Sequence, residues 1–332
     1  MNNQNFLFIS TPFRSGSALL SRTLNAHSQI GLTNDDLKFF RFCYNRYLPL
    51  SENSTRNMLN DLAQRVLTRF NISIEVESCL ERLKQQPLNH AAIYSVLLQH
   101  LWDGRNYGYI GEMESISWTK IPIFLNMFPN SKALLIIRDL RDVVVSFKKK
   151  TIAPGNDYLI ALFNVIDAMD HFLECQKLFP DRFHGVRFEA LKADPEGVIQ
   201  EVCQFLGVDF EPEMMSDDNW IDFHGKKWIN TKVSSFHKDG DSQNPVGRWR
   251  RLITPEELFL CEWIGKKQMQ AFGLKAEGGG VTQGEFDSAL DMVTSSTLLR
   301  EAFKHWCETG QGVERYPLDP TNPNTWDKNP IA

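Results

Sequence analysis

The sequence lacks any run of about 20 apolar residues, so a membrane-spanning helix is not expected. Positive charge is not in excess, because 36 Lys and Arg stand against 41 Asp and Glu, a formal net charge of −5. Nucleic-acid binders are usually basic, so that class is disfavoured. Residues 1–5 are uncharged and precede only a short apolar run, unlike a secretory signal, and we therefore expect a cytoplasmic location.

Paired cysteines are also missing. The six cysteines are scattered singly, and no Cys-x-x-Cys pair occurs. A zinc site or a redox dithiol therefore has little support, and we expect free thiols and no bound metal. The remaining composition, with 42% hydrophobic and 23% charged residues, is that of an ordinary globular protein.

Short apolar runs alternate with amphipathic stretches along the chain. Residues 6–9, 132–137 and 184–188 are predicted to be buried strands, and residues 17–25 form a predicted helix directly after the first of them. Strands that alternate with helices pair in parallel and carry helices on both faces. We therefore expect an α/β fold with a central, mostly parallel sheet flanked by helices.

The first candidate site is the loop between the first predicted strand and its helix, with the sequence Thr-Pro-Phe-Arg-Ser-Gly-Ser-Ala-Leu. Such a turn directs backbone N–H groups and the positive end of a helix toward an anion. Arg14 adds a charge, and Ser15 and Ser17 add hydroxyl donors. The loop lacks the Gly-Lys-Ser/Thr ending of a Walker A motif. It predicts a phosphate site, and the alternative is an ordinary strand-to-helix turn.

The second candidate site lies at the end of the strand 132–137. Arg138 closes that strand, Asp139 is expected to cap the next helix, and Ser146 lies in that helix. Open α/β sheets bind ligands at the carboxyl ends of their strands. Arg138 and Ser146 could therefore converge on one anion. Arg141 and Asp142 are interpreted as a structural ion pair.

The third candidate site is a basic, loop-like segment in an otherwise acidic protein. Residues 226–251 hold seven Lys or Arg and two Asp. Gly247 and Arg248 lie near its end, where an arginine could clamp a phosphate group. The alternative interpretation is a solvated basic surface.

Taken in order, these segments resemble the sulfotransferase family that uses 3′-phosphoadenylyl sulfate (PAPS). In that family a Pro-(Lys/Arg)-Ser-Gly-(Thr/Ser)-(Thr/Ser) loop holds the 5′-phosphosulfate, and residues 14–18 are similar to it. The family holds the 3′-phosphate with an Arg at a strand end and a Ser eight residues later, the spacing of Arg138 and Ser146. Two further segments resemble the family. One is the run from Phe188 through Asp194-Pro195, and the other is Gly247-Arg248-Trp249-Arg250.

The resemblance implies a P-loop-like, three-layer fold and an enzyme that moves a sulfuryl group from PAPS to an acceptor hydroxyl. The transfer is in line, needs no metal and releases 3′-phosphoadenosine 5′-phosphate (PAP). The implied donor-binding residues are Arg14, Ser15, Gly16, Ser17, Ala18, Leu19, Arg138, Ser146, Phe188, Gly247 and Arg248. Ala18 replaces a hydroxyl residue, Leu19 replaces a Trp that stacks on adenine, and Phe188 keeps the ring of a Tyr.

The resemblance assigns Arg14 to the bridging oxygen and leaves two candidates for the base. Golgi-type and some bacterial relatives place a carboxylate about twenty residues beyond the basic loop residue, where this sequence has Asp35. Glu112 is the second candidate, in the stretch Gly-Glu-Met-Glu-Ser that also contains Glu114. No histidine occurs between His100 and His171, so a histidine base from that stretch is excluded.

Residues 1–277 are expected to form the sulfotransferase domain and residues 278–332 a helical extension and tail. Within the domain, residues 35–105 form a predicted helical insertion on the acceptor side. The acceptor may be a hydroxyl of a small molecule, a carbohydrate, a lipid-like compound or a peptide. Two alternatives stay open: a P-loop nucleotide kinase and a non-catalytic relative that binds PAP or PAPS.

Overall fold

Five parallel strands make the sheet of the computed structural model, which describes residues 4–227 and 244–316. Their order across the sheet is β2-β3-β1-β4-β5. Their bounds are β1 Asn5–Thr11, β2 Ile30–Asn34, β3 Tyr109–Ser115, β4 Lys132–Ile137 and β5 Phe183–Arg187. Every neighbouring pair is parallel. The predicted α/β class with a parallel central sheet is confirmed.

Two of the five strands were not expected from the sequence. β1, β4 and β5 correspond to the three predicted strands, whereas β2 and β3 do not resemble apolar runs. β3 contains Gly111, Glu112 and Glu114, yet all of its residues are buried. Its polar residues hid it because a buried strand is normally recognised by continuous apolar side chains.

Helices cover both faces of the sheet. Up to the end of β4 they are α1 Ser17–Asn25, α2 Phe39–Phe42, α3 Glu52–Phe70, α4 Val76–Leu83, α5 His90–Leu101 and α6 Ile121–Met127. After β4 they are α7 Leu140–Lys150, α8 Ile160–Leu178, α9 Phe188–Ala193, α10 Pro195–Leu206, α11 Pro255–Ile264, α12 Lys266–Ala271, α13 Gln283–Val293 and α14 Thr297–Thr309. The predicted helical region 35–105 thus contains α2 to α5.

Alternating side chains of β1 divide the core into two halves. Phe6 and Phe8 pack on one face in the larger cluster, together with residues of α5, α6 and α8. Leu7 and Ile9 point to the other face, where α1 and α10 pack. This arrangement follows from the two-residue period of a strand. It leaves the carboxyl ends of the strands as the edge where the loops gather.

The residues beyond 277 that the structure describes pack against this body. α13 contacts α11, and α14 contacts α8. A single helical stretch was expected over 283–306, but residues 294–296 interrupt it, and Ser296 caps α14 by accepting from the Leu299 amide. The division of the chain at residue 277 stays a prediction. Within the described ranges, no helix is long and apolar enough to cross a membrane.

Gly111 sits where β3 approaches β1 most closely. A Cβ atom added there would lie 1.8 Å from the carbonyl oxygen of Leu7. We expect Gly111→Ala to lower the free energy of unfolding by about 2 kcal/mol or more, because the two strands must separate. Urea unfolding measures the change, and Gly279→Ala is the control because nothing lies within 4 Å of its added Cβ. Equal stabilities of the two variants would contradict the expected clash.

Candidate active site

The loop after β1 brings Arg14 to the carboxyl edge of the sheet. Arg14 has a positive φ of 67°, and Gly16 has φ 100° immediately before α1. A Cβ at Gly16 would also lie 2.3 Å from Cδ2 of Phe188, so this position requires glycine twice over. The Nε of Arg14 donates to Oγ of Ser146 at 3.1 Å. The loop and α7 therefore meet at this edge of the sheet.

Arg138 lies directly beneath this loop, with 3% of its surface exposed. Its Nη1 donates to the carbonyl oxygen of Arg14 at 3.0 Å, and its Nη2 donates to the carbonyl oxygen of Pro245. Its guanidinium carbon lies 4.6 Å from the ring centroid of Phe188. The three candidate segments are thus in contact through one buried arginine.

Asp142 connects α7 to the basic segment and was missed as a site residue. Its carboxylate accepts from the amides of Gly247 at 2.7 Å and Trp249 at 3.0 Å, and it lies 3.6 Å from Arg138. The expected pair of Arg141 with Asp142 is wrong, because Arg141 pairs with Asp139 at 2.9 Å. Asp142 faces Arg138 and not Arg141, because two backbone amides hold its carboxylate there. Those amides lie about 105 residues further along the chain, so the spacing of the sequence does not indicate them.

Arg248 completes a group of three cations at this edge. Burial, with a smaller effect from the nearby charges of Arg138 and Arg14, lowers the pKa of Arg248 to about 10. Burial lowers the pKa of Arg14 as well, and the charge of Arg138 adds to that effect. All three guanidinium groups still carry a proton at neutral pH. Like charges this close in a buried setting are unfavourable unless an anion lies among them.

Buried donor atoms without partners point to the same place. Three of them are Oγ of Ser15, Nε of Arg138 and Nε of Arg248, none of which has a hydrogen-bond partner in the part of the chain that the structure describes. A buried donor left unpaired costs free energy, so a native structure normally satisfies it with a ligand or water. The arrangement is suited to oxygen atoms of a polyanion.

The other predicted donor residues fall into two groups. Ser17 and Ala18 lie half-buried in the first turn of α1, and Gly247, with φ 71°, opens the turn that carries Arg248. Phe188 lies beside Gly16 and beneath Arg138. Leu19 and Phe188 are 1% and 3% exposed and both pack in the core, so neither side chain offers a surface to the adenine.

Asp35 directly follows β2 and is held by a neighbouring strand. It has φ 64°, and its amide donates to the carbonyl of Met113. Its two carboxylate oxygens accept from the amide and from Oγ of Ser115, each at 2.7 Å. Nζ of Lys38 lies 3.0 Å from Oδ1, and 29% of the Asp35 side chain stays exposed. A fixed and accessible carboxylate can accept a proton from a bound hydroxyl.

Glu112 does not share this access. It is fully buried in the middle of β3, where burial and the neighbouring Glu114 raise its pKa well above the ordinary value. A fully buried carboxyl group is out of reach of an acceptor hydroxyl, so Glu112 does not fit the second-candidate role. Burial likewise raises the pKa of Glu114 to about 7, and Glu114 accepts from Oγ of Ser117 at 2.6 Å.

Phe13 places the Asp35 region beside the arginine group. It precedes Arg14 and lies edge-on to Tyr316, with ring centroids 5.5 Å apart. Lys38 and Tyr316 are further residues that sequence reasoning missed. Lys38 lies three residues from Asp35, but Tyr316, which it also contacts, is 278 residues away in the chain. In residues 4–227 and 244–316, no group of three or more His, Cys, Asp or Glu side chains could hold a metal ion.

Comparisons with known proteins agree with this geometry. Residues 7–212 match the family described as "Sulfotransferase family", and the chain belongs to that family. Its structure is similar to the sulfotransferase domain from the curacin biosynthetic pathway, with a TM-score of 0.55 and 19% identity over 83% of this chain and 99% of that chain. The expected P-loop-like sulfotransferase fold is confirmed.

Two further relatives were found. The sulfotransferase domain from the Synechococcus PCC 7002 olefin synthase gives a TM-score of 0.51 and 19% identity, covering 83% of this chain and 98% of that chain. An uncharacterized protein of Aquifex aeolicus (strain VF5) is 24% identical over 174 residues, which are 48% of this chain. That match spans 20% of the Aquifex protein, so the chain corresponds to about a fifth of its length.

Asp36 follows Asp35 and makes stability depend on pH. Burial raises its pKa from 3.8 to about 7, against the opposing effect of the Asn34 amide. The folded state therefore binds the proton more tightly, and this group's contribution to stability falls as pH rises from about 4 to about 7. We expect Asp36→Asn to gain about 2 to 3 kcal/mol relative to wild type between pH values of about 5 and 8.

Urea unfolding at the two pH values measures that change for Asp36→Asn. The control is Asp291→Asn, whose carboxyl group is exposed on α13, and which should keep a constant difference from wild type. A difference for Asp36→Asn that is the same at both pH values would show that burial does not perturb this carboxyl group.

Proposed function

We propose that this protein transfers a sulfuryl group from PAPS to an acceptor hydroxyl, in line and without a metal, and releases PAP. The observation that carries the proposal is the meeting of Arg14, Arg138 and Arg248 at one edge of a sulfotransferase fold. A donor with phosphate groups at both its 5′ and 3′ ends supplies negative charge to these three arginines, of which Arg138 is buried and the other two are half-buried.

The contacts suggest how the two ends of the donor are divided. Ser15, Gly16, Ser17 and Ala18 face the 5′-phosphosulfate at the N-terminus of α1, where amide groups and the helix dipole favour an anion. Arg138, Ser146 and Arg248 take the 3′-phosphate, with Gly247 bringing Arg248 into place. Phe188 is proposed to support the donor site from below by packing against Gly16 and Arg138, because its ring is only 3% exposed.

Arg14 lies between the residues proposed for the 5′ end of the donor and those proposed for the 3′ end. Its Nε–H donates to Oγ of Ser146 at 3.1 Å, so the side chain is already held in place before the donor binds. In the proposed reaction the bond from sulfur to the leaving phosphate oxygen breaks, and a bond from sulfur to the acceptor oxygen forms. Arg14 neutralises the charge that develops on the leaving oxygen, which is the main need of such transfers.

The acceptor proton goes to Asp35 in this scheme. Asp35 is held by hydrogen bonds and remains accessible, and the contact of Phe13 with Tyr316 connects its surroundings to Arg14. The acceptor approaches from the side of α2 to α5, and small molecules, carbohydrates, lipid-like compounds and peptides remain possible classes. Residues 1–277 are proposed to contain the residues that touch the donor and the acceptor.

Arg248 and Arg250 offer a matched test of donor binding. Arg248 faces the other two cations, whereas Arg250 is exposed and pairs with Glu277. We expect Arg248→Ala to raise the Kd for PAP about tenfold or more, because a charge-assisted contact to phosphate is lost. Arg250→Ala should change the Kd less than about threefold. Titration calorimetry with PAP measures both.

The outcome that contradicts the donor site is equally definite. Wild-type protein that releases no heat with PAP, or equal effects of the two substitutions, would remove the arginine group from the donor-binding role.

Asp35→Asn tests the base separately from binding. Asparagine keeps the shape of the side chain but does not accept the proton, so PAP affinity should stay the same while turnover falls about a hundredfold or more. The release of PAP from PAPS, measured in buffer that contains EDTA, gives the rate. Asp291→Asn on α13 is the control and should leave both quantities unchanged.

An Asp35→Asn variant with the wild-type rate would exclude Asp35 as the base. Wild-type protein that binds PAP but transfers no sulfuryl group to any class of acceptor would instead favour the non-catalytic alternative.

A further inference from the structure

Residues 311–316 return from α14 to the candidate active site. This segment lies well beyond residues 7–212, the part of the chain that matches the family. The Val313 amide donates to the carbonyl of Phe163 at 3.2 Å. The Arg315 amide donates to Oδ1 of Asn164 at 2.8 Å, and Nδ2 of Asn164 donates back to the carbonyl of Arg315.

Glu314 fixes the same segment on its other side. Its carboxylate accepts from the amide and the hydroxyl of Thr119 and lies 3.7 Å from Nζ of Lys120. Gly312 packs so tightly that an added Cβ would lie 2.1 Å from the carbonyl oxygen of Phe163. These contacts therefore fix residues 311–316 against α8.

These backbone and side-chain contacts bring Tyr316 to the candidate active site. Only 7% of its surface is exposed, and its ring lies 4.0 Å from the guanidinium carbon of Arg41 and edge-on to Phe13. Its hydroxyl donates to the carbonyl oxygen of Ser115 at 2.6 Å. Nζ of Lys38 lies 3.1 Å from the same hydroxyl oxygen.

The direction of these hydrogen bonds follows from the chemistry of the groups. A carbonyl oxygen only accepts, so the Tyr316 hydroxyl gives its proton to Ser115 and must accept from Lys38. The ammonium group of Lys38 also forms an ion pair with Asp35, with Nζ 3.0 Å from Oδ1. Ser115 in turn donates its amide and hydroxyl to the two oxygens of Asp35. The four residues form a closed ring of hydrogen bonds and one ion pair.

We propose that Tyr316 is a positioning residue that orients the Asp35 carboxylate through Lys38 on one side and Ser115 on the other. This inference rests on the proposed function, because it assumes that Asp35 receives the acceptor proton. It extends the active site to a part of the chain outside the matched region. Tyr316 touches neither the donor nor the acceptor in this account.

The role of Lys38 supports the ring as an electrostatic unit. Burial lowers the pKa of Lys38, but Asp35 and Tyr316 raise it by more, so the ammonium form is retained. Loss of the Tyr316 oxygen would leave a buried ammonium N–H without its acceptor, and the ammonium group would turn toward another oxygen. Asp35 would then lose one of the two contacts that hold Oδ1, and the amide of Ser115 alone would remain there.

Tyr316→Phe in the full-length protein removes the hydroxyl and keeps the ring. The expected result is a fall in kcat of about tenfold or more, since a misplaced catalytic group is costly, with the Kd for PAP unchanged. The rate is that of PAP release from PAPS, with water and with p-nitrophenol as acceptors. A second measurement does not need activity: nuclear magnetic resonance of isotope-labelled aspartate carboxyl carbons, with the Asp35 signal assigned by its absence in Asp35→Asn.

Tyr109→Phe is the matched control. Tyr109 is also buried, and its hydroxyl also donates to a backbone carbonyl, that of Leu206 at 2.8 Å, but it begins β3 at the opposite edge of the sheet. We expect the Asp35 carboxyl signal to move in Tyr316→Phe and to stay in place in Tyr109→Phe. Thermal unfolding of both variants shows whether they lose similar stability.

The outcomes separate this inference from the proposed function. An Asp35 signal that is unmoved by Tyr316→Phe, or that moves as much in Tyr109→Phe, overturns the positioning role whatever the activity. A kcat within about twofold of wild type in an active enzyme overturns it as well. Absence of PAP binding by the wild-type protein would instead contradict the donor site, and the carboxyl signal would still test the ring.

Discussion

Mutual repulsion among three guanidinium groups, one buried and two half-buried, is the constraint on which the rest of this site depends. Arg14, Arg138 and Arg248 come from three distant parts of the chain and meet at one edge of the sheet. The protein offsets part of the repulsion with Asp142 and with carbonyl groups that accept from Arg138. The three arginines keep an uncompensated positive charge, which a doubly phosphorylated donor would neutralise. The position of this charge would then determine where the donor binds and which group is transferred.

A separate network holds the carboxylate of Asp35. It consists of neutral hydrogen-bond donors together with one cation, Lys38. Ser115 at the end of β3 holds both of its oxygens, and Lys38 and Tyr316 complete the ring. The two networks meet at Phe13, which precedes Arg14 and contacts the ring of Tyr316. If the arginine group binds the sulfuryl donor and Asp35 receives the proton, the hydroxyl of the acceptor substrate would lie between the two networks.

Much of this could be predicted from the sequence, for a physical reason. β1 and β4 are apolar runs, so their positions and the loops that follow them are visible, and parallel pairing brings Arg14, Arg138 and Ser146 to one edge. β2 and β3 were hidden, because Glu112 and Glu114 interrupt the apolar pattern of a strand whose residues are all buried. Without that strand, the contact of Ser115 with Asp35 and the deep burial of Glu112 could not be foreseen. Tyr316 reaches the site only through the packing of residues 311–316 on α8, which leaves no local signal in the sequence.

The relative affinities of three nucleotides test the central claim most directly: PAP, adenosine 5′-phosphate and adenosine 3′-phosphate, titrated under one set of conditions. If the three arginines surround one ligand with two phosphate ends, PAP binds about tenfold or more tighter than either monophosphate, because each missing phosphate forfeits charge-assisted contacts. Equal affinities for PAP and one of the monophosphates would mean that the arginine group serves a single phosphate, and the proposed donor would be wrong.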